Sequence, residues 1–459
     1  MTSPGTSASS GSGAWARALA LADATPDTRN RYVDLLRAIA ISAVVIGHWT
    51  MAAPYIGADG HAAIEHLLVV SPPTRMLTWL FQVMPVFFFV GGFSNGTSWR
   101  SALGKGQSYA DWFSSRLQRL LAPTLVLLGF WAVAGFVALR FDVPAEMVYT
   151  GSQIALIPTW FLAVYVLVCM GVPWTLAAWE RFGLASVVVP LVLAGVMDVL
   201  FFTVPAARPA TWINYLFIWL AVHQLGYAWR DGLKGGGRSL IWGLAGLGAL
   251  GAMVTLGPYP ISLVGVPGQT LPGTEEILSN TRPPKLPLAS LAIAQIGLLL
   301  SLQGPANRLL SRRKPWAATV LANGMIMTVF LWHSTAMMLL FGLAIQLGGI
   351  GLEPFPGSGA WWAVRPVWIL LFALVMPLFV AVFRRFERTT GRASPPAWRL
   401  IIGCFGGCVG LAFAAIGGVN DPVTGQMNWV AIAAPFIGCW FAGFGPLATL
   451  THRISGRPA

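Results

Sequence analysis

RYVDLLRAIAISAVVIGHWT, residues 31–50, is an apolar run interrupted by an arginine and a histidine. Wound as a helix, the eleven steps from Arg37 to His48 make close to three whole turns, so both side chains share one face, with His48 about 16 Å further along the axis. About twenty predominantly apolar residues suffice to cross the hydrocarbon of a bilayer. Ionisable groups inside such a span are costly, and by default they mark a functional site.

The rest of the chain repeats the pattern of long apolar runs. Of its 459 residues, 56% are hydrophobic and only 10% charged, and the mean hydropathy of +0.68 lies far outside the range of soluble domains. Spans can be drawn near 33–53, 77–97, 119–139, 156–176, 184–204, 212–229, 239–257, 286–302, 318–346, 361–383, 400–417 and 429–450. The expected fold is therefore all-α, a polytopic transmembrane bundle of about twelve helices. Lys and Arg flanking the spans stay on the cytoplasmic side. With the N-terminus inside, 23 of the 29 basic residues fall on that side, leaving Arg75, Arg140, Arg208, Arg282, Lys285 and Arg365 opposite, so both termini are expected in the cytoplasm. The net charge of +13 then reports topology and attraction to anionic inner-leaflet lipid; nucleic-acid binding would need its basic residues gathered on a soluble domain, and the sequence offers none.

Residues 1–30 are rich in Ser, Gly, Thr and Ala, lack the basic start of a signal peptide, and are expected to form a disordered cytoplasmic tail. The loop 258–285 is rich in Pro and Gly and is expected on the outside, as a lid, an acceptor platform or an ordinary tether. Cys169, Cys404, Cys408 and Cys439 all fall in spans, which suits packing rather than a disulfide framework. Gly92-Phe93-Ser94-Asn95-Gly96 has the letters of a nucleophile elbow, but that motif works only at a strained strand-to-helix turn, and this one sits in a span. His61, Glu65 and His66 resemble a zinc site, yet their spacing turns the histidines to different faces, and no metal is expected.

Arg37 has a plain alternative: Asp34, three residues earlier, can neutralise it at the interface, leaving His48 as a packed histidine. On these residues alone the two readings balance. The wider sequence tips them, because Asp34-Leu35-Leu36-Arg37-Ala38 through Val44-Val45 to His48 resembles the opening signature of the membrane acyltransferase-3 family, an arginine and a histidine ten residues apart on the first helix. Further resemblances follow in the family's order: MPVFFFVGGF at 84–93; Arg116-Leu117-Gln118-Arg119 with Leu120 and Pro123; Pro158-Thr159-Trp160-Phe161-Leu162; and Asn323 through Phe330-Leu331-Trp332-His333. Two positions depart from it. Gly91 stands where a serine is common, and Ser334-Thr335-Ala336 follow His333 where a proline is common.

The resemblance covers about residues 31–385, a ten-helix core, and leaves a basic linker at 386–399, two additional helices within 400–450 and a cytoplasmic tail at 451–459. It implies transfer of an acyl group, often acetyl, from cytoplasmic acyl-CoA to a hydroxyl of a cell-envelope glycan, glycolipid or small molecule, by a multi-pass protein of the bacterial cytoplasmic membrane. Arg116 and Arg119, three residues apart on one face at the cytoplasmic start of a helix, would clamp donor phosphates together with Arg37; their alternative is snorkelling to the interface. His48 would be the general base, or itself carry the acyl group in a relay. His333 would be a second histidine of the site or a packing residue, and Ser94, Asn95 or Trp160 candidate donors to the oxyanion. Asp198 and His223 are buried polar groups without a motif, suited to orienting a catalytic histidine or to interhelical hydrogen bonds. The rival function is a transporter or flippase of an envelope precursor, which needs buried charges but consumes no acyl-CoA.

Overall fold

The computed structural model describes residues 13–26, 28–387 and 393–454. Arg388 and Arg392 of the basic linker, residues 1–12 and residues 455–459 lie outside the described residues. The chain folds as a polytopic helical bundle. Nine helices among the described residues are long and apolar enough to cross a membrane, or ten if a pair bent by 51° at Leu302 counts as one span. The difference from the expected twelve lies in Asn214–Arg230 and Trp429–Phe441, helical as expected but short.

Helix α1 is Ala14–Asp23, and α2, Arg31–Met51, is the helix quoted above. Asn30 caps α2, its Oδ1 accepting from the backbone N–H of Tyr32 and Val33. A short hairpin of β1 (Ala52–Ile56) and β2 (Ala62–His66) leads through α3 (Leu67–Val70) and α4 (Arg75–Phe81) into α5 (Met84–Gly104). Ser108 caps α6 (Tyr109–Arg140), which starts ten residues before the expected span because its first turns are amphipathic. Arg116 and Arg119 therefore sit about two and three turns inside the helix. The chain continues through α7 (Ala145–Leu156), α8 (Pro158–Met170), α9 (Val172–Phe182), α10 (Ala185–Thr203), α11 (Asn214–Arg230) and α12 (Gly237–Leu256). Next come α13 (Leu286–Ser301), α14 (Gln303–Leu310), α15 (Arg313–Asn323), α16 (Ile326–Gln346), α17 (Gly359–Phe383), α18 (Ala397–Gly417), α19 (Trp429–Phe441) and α20 (Pro446–Ile454), the last including the start of the expected tail.

Helix α5 belongs to the most buried of the candidate spans. Phe88 stacks on Trp219 and Phe89 on Trp229, both from α11, and at Gly92 and Gly226 the two backbones meet directly. A Cβ on Gly92 would lie 1.8 Å from the His223 carbonyl oxygen, and one on Gly226 would lie 2.1 Å from that of Phe89. Association between apolar helices in lipid depends on such close approach and on polar ties.

The N-terminal segment differs from expectation. Ala14–Asp23 is a helix whose Ala18 and Ala22 are buried against Trp316 and Ala317 of α15. Asp23 pairs with Arg313 at 2.6 Å, and the Trp316 indole donates to Thr25 Oγ1 at 3.0 Å. The guanidinium beside Asp23 holds its carboxyl below the usual carboxylate range. The physical reason is a four-residue alanine spacing, which suits close packing on an indole as well as it suits a loose tail.

The last helices pack into the bundle. Thr159 Oγ1 on α8 donates to the Leu411 carbonyl of α18 at 3.2 Å, Gln153 Nε2 on α7 donates to Ile416 O at 2.7 Å, and the Val419 N–H donates to Ser152 Oγ at 3.1 Å.

Candidate active site

Two polar layers lie along α2. In the first, Arg37 Nη2 donates to Ser94 Oγ of α5 at 3.0 Å, while its Nη1 lies 3.5 Å from Asp34 Oδ1. Asp34, buried, also pairs with Arg29 Nε at 2.6 Å. From α6, Arg116 approaches the same stretch of α5: its Nε donates to Asn95 Oδ1 at 3.4 Å, Nη2 donates to Ser98 Oγ, and the guanidinium lies 4.1 Å from the Trp112 ring centroid. The Asn95 amide nitrogen faces the Tyr165 hydroxyl at 3.3 Å, Cys169 Sγ at 3.2 Å and His223 Nε2 at 3.1 Å. Ser94, Asn95 and Ser98 thus gather two guanidinium groups from helices on either side. The supposed nucleophile elbow is the middle of a continuous helix, and its serine is an arginine partner.

The second layer lies three turns further along α2. His48 Nδ1 and His333 Nε2 are 2.8 Å apart, and His333 Nδ1 is 2.7 Å from the Phe330 carbonyl oxygen. A carbonyl only accepts. In neutral imidazoles, His333 must then donate from Nδ1 to Phe330, and its Nε2 accepts from His48 Nδ1–H. This order fixes the tautomer of His48 and leaves its Nε2 unprotonated. That nitrogen has no hydrogen-bond partner among the described residues, and the ring borders a cavity of about 280 Å³. The indole of Trp49 donates to the His333 carbonyl at 3.0 Å, tying α2 to α16 beside the pair.

Arg365, in α17, completes the layer. Its Nη2 donates to the carbonyls of Trp49, Thr50 and Ala52, the acceptors left unpaired where α2 ends. A cation at a helix C-terminus also meets the negative end of the dipole. It is 3% exposed, and Trp361 lies below its guanidinium at 4.6 Å. Sequence reasoning counted Arg365 only as one of six outer cations. A charge in WWAVRPVW, inside an apolar run, is the same signal that singled out Arg37.

The other expected residues divide plainly. Arg119 is exposed and makes no hydrogen bond or ion pair among the described residues. Ser94 and Asn95 belong to the arginine layer, whereas Trp160 lines the cavity beside His48. His223 is a strut between α11 and α5. Asp198 lies elsewhere, accepting from Asn214 Nδ2, the Tyr259 hydroxyl and the Leu286 N–H at 2.8–3.0 Å, and so pins the loop 258–285. Tyr165 was not foreseen. A Cβ on Gly91 would lie 2.7 Å from the Tyr165 ring, so the glycine at the family's usual serine position makes room for the phenol that faces Asn95. Cys404 and Cys408 are buried free thiols with sulfurs 4.0 Å apart. No group of three metal-ligating side chains occurs among the described residues.

A shallow depression of about 540 Å³ lies at the start of α2, lined by Arg29, Arg31, Asn30, Gln303, Asn307 and Ser311. The Arg29–Asp34–Arg37 ion pairs connect it to the first layer.

The acyltransferase-3 family model, described as "Acyltransferase domain", matches residues 30–384, and the chain belongs to that family. It is an acyltransferase of the multi-pass membrane type, and membership sets the transport alternative aside. Neither the curated proteins nor the solved structures give a match.

Proposed function

We propose that this acyltransferase moves an acyl group, acetyl by default, from cytoplasmic acyl-CoA to a hydroxyl of a cell-envelope glycan, glycolipid or small molecule at the cell membrane, with His48 as the base. The observation that carries this reading is the chain of hydrogen bonds from His48 through His333 to the Phe330 carbonyl. It leaves the lone pair of His48 Nε2 free on a ring that lines the cavity. As the acceptor oxygen attacks the thioester carbonyl carbon, a C–O bond forms and the hydroxyl proton passes to Nε2. Collapse of the tetrahedral adduct breaks the C–S bond, and the proton moves from the imidazolium to the departing thiolate, giving ester and free thiol. A positioned base of this kind is worth about 10²- to 10⁴-fold in rate. The same nitrogen would carry the acyl group in a two-step relay.

Donor binding falls to the arginines. Arg37 and Arg116 meet on α5, Arg119 is exposed on the same helix as Arg116, and the basic depression adds Arg29 and Arg31. These groups suit the phosphates of a nucleotide held at the cytoplasmic face. The rise of about 16 Å from Arg37 to His48 suits a pantetheine arm reaching into the bundle. His48→Ala should abolish acyl transfer by the purified protein from acetyl-CoA while membrane insertion and yield stay normal; wild-type transfer by that variant would overturn the assignment. Mass spectrometry of envelope glycans and lipids from wild-type and deletion cells would identify the acceptor.

A further inference from the structure

The cavity beside His48 is lined mostly by apolar side chains. Gly47, Phe161 and Phe330 form its inner wall with His48. Leu263 and Val264 line it from the loop 258–285. That loop is fastened down: Asn280 Nδ2 donates to the carbonyls of Pro260 and Ser262 at 2.8 and 2.9 Å, and the Trp79 indole donates to Ile261 O at 2.9 Å. Ile46, Leu77, Phe81 and Trp362 also border the cavity, yet each is 40–49% exposed on the perimeter of the bundle. Large apolar side chains both lining a cavity and exposed on apolar helices place its mouth against lipid, between α2 (Ile46) and α4 (Leu77, Phe81), with Trp362 of α17 on the rim.

The polar groups around it are largely occupied. Thr50, Thr74 and Thr78 donate their hydroxyl protons to the backbone carbonyls of Ile46, Ser71 and Arg75, and Gln82 Oε1 accepts from the Met84 N–H. A sugar ring buried here would leave most of its hydroxyls unpaired, which is costly. A hydrocarbon with one hydroxyl would not. An apolar cavity of roughly 150 Å³ holds a benzene, so the space beside His48 matches about ten carbons.

We propose that the acceptor is a membrane-resident alcohol: its hydrocarbon fills this cavity, its hydroxyl meets His48 Nε2, and it enters sideways from the bilayer between α2 and α4. This rests on the acyl-CoA reading above and narrows its acceptor to a lipid-like amphiphile.

The test pairs turnover with binding. Purified protein in detergent would be given acetyl-CoA and primary alcohols from ethanol to dodecanol, with glucose as the polar comparison. Each buried methylene favours binding by up to about fourfold, so kcat/KM should climb about two- to fourfold per carbon and level off near ten carbons. Gly47→Leu should move the optimum about four carbons shorter, since a Cβ at Gly47 meets nothing within 4 Å and the new side chain can only grow into open space. Separately, a diazirine-bearing decanol should photolabel the peptides that hold Ile46 or Leu77 in wild-type protein, and excess decanol but not glucose should compete. Equal rates along the series, preference for glucose, or labelling only elsewhere would overturn the proposal. So would chain-length selection that follows the donor, octanoyl-CoA over acetyl-CoA, because the cavity would then hold the acyl chain. Photolabelling needs no turnover: a protein that transfers from no acyl-CoA would sink the donor reading, while the labelled peptides still decide the occupant of the cavity.

Discussion

His333→Ala removes the acceptor that holds His48 Nδ1–H. In the native arrangement the 2.8 Å contact favours the tautomer with a free Nε2, and the Phe330 carbonyl, the terminal acceptor, holds the proton on His333 Nδ1. Leaving a buried donor without a partner costs about 1–3 kcal/mol. At about 1.4 kcal/mol per factor of ten, the productive tautomer and orientation lose about 5- to 150-fold. That loss should fall on kcat. KM for the donor should hold, because the arginine layer is about 16 Å away along α2. His333→Gln, whose side-chain carbonyl can accept from His48, should recover at least part of the lost rate, whereas Ala and Phe should not. Initial rates of purified variants against acetyl-CoA concentration make the comparison. A His333→Ala enzyme with wild-type kcat, or one that changes only KM, would refute the tautomer chain.

Three further outcomes are expected. Arg37→Ala and Arg116→Ala should each raise the donor KM by about tenfold, the scale of a charge-assisted contact, with Arg119→Ala smaller because that residue is exposed; steady-state kinetics of the three variants decide the order. Arg365→Gln should lower kcat by about fivefold, the effect of loosening a capped helix end by about 1 kcal/mol, and hydrogen exchange should rise over Trp49–Ala52 if the cap is what it removes. Gly92→Ala should cost folded protein, since its methyl would collide with the His223 carbonyl, whereas Gly47→Ala should purify like wild type; size-exclusion yield after solubilisation compares them.

The class of fold was legible because long apolar runs have few other uses, and the first helix was legible because Arg37 and His48 are expensive where they sit. The pairing of His48 with His333 needed the family resemblance, as 285 residues separate the partners and no periodicity links them. What sequence left open were partners chosen by geometry. Asn95 was weighed as an oxyanion donor, yet its amide faces a phenol, a thiol and an imidazole from two other helices. Asp198 was weighed against a catalytic histidine, yet it holds a loop. Arg365 was grouped with its charge class because a helix-end cap contributed by another helix has no local signature. The amphipathic start of α6 and the alanine-rich α1 were obscured for a simpler reason: neither is apolar enough to read as a span.

Helix α18 and the turn after it lie beyond the stretch shared with the family, and yet Thr159, Gln153 and Ser152 each find a partner there. Inheritance and cooperativity therefore draw different borders in this molecule. A truncation at residue 384 would keep every motif by which relatives are recognised, but it would strip the buttress from the Trp160 wall of the cavity. Chimaeras that graft this core onto another scaffold would have to bring the buttress along.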